Sequence, residues 1–136
     1  MEYTLVIKNK TEEIAKCSDF VERSCEALGV SMKWMLKLQL VLEEAVSNVI
    51  SYAYSNNTVE DILIRISKKG NALVVVVEDT GKPFDPTSKG DVDVTLPLEM
   101  RKVGGLGIFL MKKIMDEVDY KRIENRNILM MKKEIN

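Results

Sequence analysis

The feature that leaves this chain least freedom is the run at residues 38–54, LQLVLEEAVSNVISYAY. Leu38, Val41, Leu42, Ala45 and Val49 recur at steps of three and four. An α-helix turns that period into a single apolar stripe, and a strand cannot. The same period stacks Glu44, Asn48 and Tyr52 along a neighbouring line, one turn apart. A carboxylate and a carboxamide so placed can hold a proton acceptor and an oxygen-liganded cation side by side. A solvated helix face accounts for the same pair without any chemistry. Glu43 projects about 100° away around the helix and is the weaker candidate for a base.

The rest of the chain arranges itself around that helix. Residues 3–8 (YTLVIK) are rich in β-branched and aromatic side chains and predict a strand. Thr11 is placed to cap a helix over residues 11–28, with Glu12 and Glu13 in its first turn and Gly29 to stop it. Ser31 caps the second helix, which runs to about residue 55. Residues 60–68 and 72–78 predict two strands joined by a reversal at Lys69-Gly70-Asn71, the first half-buried and the second apolar and central. A polar stretch at 84–103 reads as a loop with one short helix near 96–101, and so long a connection is usually functional or mobile. A helix at 108–117 and a hairpin of 118–124 with 127–132, turning at Asn125-Arg126, complete the chain. This order predicts one α+β domain over residues 1–136, a two-layer sandwich with helices on one face of a mixed, mostly antiparallel sheet.

Composition narrows the function classes. Twenty Lys and Arg against 21 Asp and Glu give a net charge of −1, which supplies no whole-molecule field for nucleic acid or an anionic membrane. No apolar run is long enough to cross a bilayer, and the start lacks the apolar core of a secretion signal. A cytoplasmic protein is expected. With no histidine, His-based acid–base catalysis, phosphohistidine chemistry and the common zinc sites are excluded. Cys17 and Cys25, eight residues apart on one helix, lie roughly 12 Å apart along its axis, so buried free thiols are expected.

Two further segments could carry chemistry. Asp79-Thr80-Gly81 ends the central strand; it is a turn on any reading, and its carboxylate could accept a hydrogen bond from an exocyclic amine. Gly81, lacking a Cβ, would let a flat ring approach the backbone. Gly104-Gly105-Leu106-Gly107 opens a helix, whose free N–H groups and positive dipole end suit phosphate. It fits neither the dinucleotide fingerprint nor a P-loop. Lys121, Arg122, Arg126, Lys132 and Lys133 alternate along the last hairpin and read as a solvated face.

Taken in order, these boxes resemble the GHKL (Bergerat-fold) ATP-binding superfamily, and within it the stand-alone anti-sigma-factor serine kinases. EEAVSNVISYAY (43–54) is similar to their N box, VEDTGKPFDP (77–86) to their first glycine box, and GGLGIFLMKKIMDEVDY (104–120) to their second. The resemblance implies an Mg-ATP-dependent protein serine/threonine kinase that sequesters a sigma factor and phosphorylates an anti-anti-sigma (STAS) partner. It implies Mg²⁺ on Asn48, Glu44 activating the acceptor hydroxyl, and Asp79 on the adenine amine with Gly81 and Pro83 shaping the pocket wall. Gly104, Gly105, Leu106 and Gly107 would meet the ATP phosphates under a lid over about 87–103. Arg101 and Lys102 are candidates for γ-phosphate or partner contact, or for plain loop solubility. A homodimer built on the first strand and helix is also implied. The family's histidine at the end of the N box is Tyr52 here, and one extra residue separates Arg101 from the glycines. Two other readings stay open: an ATP-gated partner-switch module without useful turnover, and a detached ATPase domain of a sensor histidine kinase.

Overall fold

The computed structural model describes residues 1–54, 58–88 and 105–135, with side chains omitted for 88 and 105–107. Five strands, β1 (Glu2–Lys8), β2 (Asp61–Lys69), β3 (Ala72–Asp79), β4 (Glu117–Ile123) and β5 (Arg126–Glu134), form one sheet in the order β1-β2-β3-β5-β4. Every described pair is antiparallel, the limiting case of the mixed, mostly antiparallel sheet that was expected. The reason is the crossover: β4 lands at the edge, and its hairpin partner β5 returns beside β3. Among the described residues three α-helices, α1 (Ile14–Leu28), α2 (Met32–Tyr52) and α3 (Gly105–Ile114), complete the expected α+β sandwich.

Register carries the core. Ile62, Ile64 and Ile66 of β2 face Asp79, Val77 and Val75 of β3, which in turn face Asn127, Leu129 and Met131 of β5. Residues directly opposite in an antiparallel pair share a face. That face is apolar except at one end, where Asp79 and Asn127 meet, and its apolar members are buried with Val41, Leu42, Ala45 and Val46 of α2. On the other face Glu78 pairs with Arg65 at 2.7 Å and with Arg126 at 3.3 Å.

Local sequence explains the punctuation. α1 ends as expected at Gly29, whose φ of 72° needs no Cβ and lets the Val30 N–H reach Cys25 O at 2.8 Å, a Schellman closure. Its start differs. Thr11–Glu13 form a 3₁₀ turn with no side-chain cap; the N–H groups that Thr11 would serve already donate to backbone, Glu13 N to Lys10 O at 2.9 Å and Ile14 N to Thr11 O. The last hairpin turns one residue earlier than its pattern suggests, at Glu124 and Asn125. Both have positive φ, 47° and 64°, the two-residue geometry whose twist matches the strands. α3 begins at Gly105 and stops at Ile114, short of the expected end. Both cysteines are buried and free, and burial pushes each thiol up to about 11. Among the described residues no helix is long and apolar enough to cross a membrane.

Candidate functional site

Asn48 projects from the buried side of α2, and Asp79 closes β3. Each is 4% exposed, and both line one recess between the helix layer and the sheet. Its wall is completed by Ala45, Val49, Phe84, Pro86, Met111, Tyr120 and Asn127. Two of the residue types the sequence singled out, from separate elements, are therefore brought together. The open cavity is only about 10 Å³, room for about one water. That volume is too small for a bicyclic ring, and Phe84, half-buried at the wall, is stacked on Tyr52 with ring centroids 5.2 Å apart.

The Asp79 end is fully wired. The N–H groups of the turn at 80–82 all find acceptors: Thr80 N donates to Tyr54 Oη at 3.0 Å, Gly81 N to Asp79 Oδ1 at 2.8 Å, and Lys82 N to Ala53 O at 2.8 Å. Asn127 donates from Nδ2 to Asp79 Oδ1 at 2.9 Å and to Lys82 O at 2.8 Å. Its own carbonyl accepts from Tyr120 Oη and, at 3.1 Å, from Arg122 Nη1, which also donates to Gly81 O at 2.7 Å. Both hydrogen bonds that Asp79 receives from described residues fall on Oδ1, so Oδ2 is left for something else. Burial pushes the Asp79 carboxyl up from its ordinary range, while Asn127, the Gly81 N–H and the Arg122 charge hold it down.

The Asn48 end is the opposite. Its Nδ2 is buried with no hydrogen-bond partner among the described residues, a group that costs about 1–3 kcal/mol to leave unpaired. Glu44, one turn earlier, is half-buried and does not line the recess. No group of three acidic or cysteine side chains able to hold a metal exists among the described residues. A lone carboxamide suits an ion that takes most of its ligands from phosphate and water, as Mg²⁺ does, and would not suit one needing a protein cage.

The structure places the other singled-out residues as follows. Gly81 and Pro83 do not line the recess; Phe84 and Pro86 do. A Cβ on Gly81 would lie 2.3 Å from Ala53 O, so the close approach glycine permits is to the end of α2. Arg122 is not a solvated-face residue: its register opposite Asn127 puts it on the helix side of β4. Arg126 and Lys133 pair with Glu78 and Asp116. Arg101, Lys102, Gly104 and most of the lid at 87–103 lie outside the described residues; Gly105, Leu106 and Gly107 are described only as the first turn of α3. Asn127, Arg122 and Tyr120 were missed. The available signal was period two: Asn127 stands in line with Leu129 and Met131, a polar residue on a buried face.

A helix-backed antiparallel sheet, with a recess holding two buried polar side chains between α2 and the end of its central strand, defines a two-layer α+β domain. The chain belongs to the histidine kinase-like ATPase domain family, which it matches over residues 7–133. It is 30% identical over 108 residues to the serine-protein kinase RsbW of Listeria monocytogenes serovar 1/2a, covering 76% of this chain and 69% of that one. It is 29% identical over 99 residues to the serine-protein kinase RsbW of Bacillus cereus strain AH820, covering 70% of this chain and 61% of that one. The histidine kinase domain of the Erythrobacter litoralis EL346 blue-light activated histidine kinase shares the fold, with a TM-score of 0.59 at 16% identity over 88% of this chain and 61% of its own.

Proposed function

We propose that this chain binds Mg-ATP in the recess between Asn48 and Asp79 and transfers its γ-phosphoryl group to a serine or threonine of a partner protein, as an anti-sigma factor acting on an STAS-type antagonist. The observation that carries the reading is the meeting of two buried polar side chains from different elements, one of them unsatisfied, inside a family of ATPase domains. The serine-protein kinase names of its relatives support the acceptor class.

The residues divide the work. Asp79 Oδ2 accepts from the adenine amine, oriented by Asn127 on the other oxygen. The Asn48 carboxamide holds Mg²⁺ through oxygen, while its unpaired Nδ2 has an acceptor to gain from phosphate or ordered water. Mg²⁺ when bound supplies neutralisation of phosphate charge. The N-terminus of α3 at Gly105 faces phosphate with free N–H groups, with Gly104, Leu106 and Gly107 beside it and Arg101 as a γ-phosphate contact. Glu44 takes the proton from the acceptor hydroxyl. Sigma factor, antagonist and homodimer rest on resemblance alone.

The second reading, an ATP-gated binding module that does not turn ATP over, draws support from Glu44, which stands outside the recess lining. Incubation of the chain with γ-labelled ATP and its copurified partner separates the two. Glu44→Gln should keep ATP affinity and slow transfer about 10²–10⁴-fold. Transfer at the unchanged rate rejects Glu44 as the base, and no transfer by the natural chain leaves the binding module standing.

A further inference from the structure

The outer side of α2 carries a stripe that neither the fold nor the recess uses. Met32, Leu36 and Leu40 are 70%, 56% and 39% exposed. At steps of four they align on one line, roughly half a turn around the helix from the core residues Leu38, Leu42, Ala45 and Val49. Single apolar residues on a surface need no explanation, but three in register along one helix make a contiguous contact line.

Beside that line stand two cations held in place. Lys37 Nζ lies 4.8 Å and Lys33 Nζ 5.3 Å from the centre of the Trp34 ring, within cation–π range. A third ammonium, Lys133, sits 5.0 Å from the same ring, but it is paired with Asp116 at 3.1 Å. Lys33 and Lys37 form no ion pair with any described residue. Ammoniums restrained over an indole and lacking carboxylates lose less freedom than free lysines when they meet one. Beyond Leu40 the sign reverses, with Glu43 and Glu44 on the next turn.

We infer that this face of α2 is a docking surface for an acidic amphipathic helix of a partner protein. Its apolar side chains, at steps of three and four, would lie along Met32, Leu36 and Leu40. Its carboxylates would run along one edge at the end meeting Lys33 and Lys37, and be absent from the end opposite Glu43. Charge complementarity thus fixes both the class of partner and its direction along α2. The surface is separate from the recess, so the inference stands or falls independently of ATP binding.

The test places a photoreactive phenylalanine analogue at position 36 of the full chain in its native cell and reads the sequence of the cross-linked peptide by mass spectrometry. The expected product is a segment with apolar residues at helical spacing and several Asp or Glu on one edge. Its synthetic copy, titrated by fluorescence anisotropy, should bind the full chain about tenfold more weakly in the Lys33→Glu/Lys37→Glu variant and in Leu36→Asp. Arg23→Glu on α1 should leave the affinity unchanged, and all three variants should keep the circular dichroism of the natural chain. A basic segment, a segment of this chain itself, no cross-link, or equal affinity in the charge-reversed variant would overturn the inference.

Discussion

Two asparagines line the same recess and could hardly be treated more differently. Asn127 uses both ends of its carboxamide, donating to Asp79 and Lys82 O and accepting from Tyr120 and Arg122. Asn48, equally buried, has a nitrogen with no acceptor among the described residues. The contrast teaches which part of the site the protein builds alone. The Asp79 end is held in place by the protein's own hydrogen bonds, so in the proposed site its second oxygen is already aimed as an acceptor. At the Asn48 end the protein carries an unsatisfied group, which is tolerated where a ligand supplies the missing partner.

The sharpest way to break this contrast is at the turn itself. Gly81→Ala would put a methyl 2.3 Å from Ala53 O, against backbone that has no rotamer to yield. We expect a loss of about 3 kcal/mol in urea unfolding; a neutral result would mean that the turn is not seated on α2. Asn127→Ala comes next. It strands Lys82 O and the Tyr120 hydroxyl and takes from Asp79 Oδ1 one of its two donors, for an expected cost of about 2 kcal/mol. Asn48→Ala should cost within about 1 kcal/mol, because losing an unpaired amide offsets part of the cavity left behind. An Asn48 variant as damaging as the Asn127 one would erase the distinction between the two ends.

The smallest effect is a matter of pH. Since burial raises the folded-state pKa of Asp79, its contribution to stability is fully present below the unfolded value and is lost as pH rises through the folded one. Asp79→Asn keeps an acceptor for Gly81 N–H and Asn127 but cannot titrate. Relative to that variant, the natural chain should therefore gain stability as pH falls from neutrality toward the ordinary carboxylate range. A difference between the two unfolding free energies that is flat with pH would contradict the burial account.

How much of this was legible beforehand depends on how local each cause is. The helix of residues 38–54, the Gly29 stop and the β2–β3 reversal follow from spacing and from single residues, and the structure has them. The placing of Asn48 and Asp79 in one recess also followed, because three boxes in order resemble a family. What spacing could not carry is the partnership across strands. Asn127 meets Asp79 only because β5, not β4, pairs with β3, and no short-range pattern shows which strand of a hairpin lands inside. Gly81 was singled out for its missing Cβ, and the neighbour that makes use of it within the fold, Ala53 O, lies far away in sequence. The Thr11 cap is absent because the 3₁₀ turn gives the Glu13 and Ile14 N–H groups backbone acceptors of their own.

The measurement closest to the central claim is isothermal titration of Mg-ATP into the natural chain and into Asp79→Asn. The account predicts saturable one-site binding to the natural chain, weakened about tenfold or more by the substitution, with the fold intact in both. Equal affinities for the two proteins, or no binding to either, would contradict it.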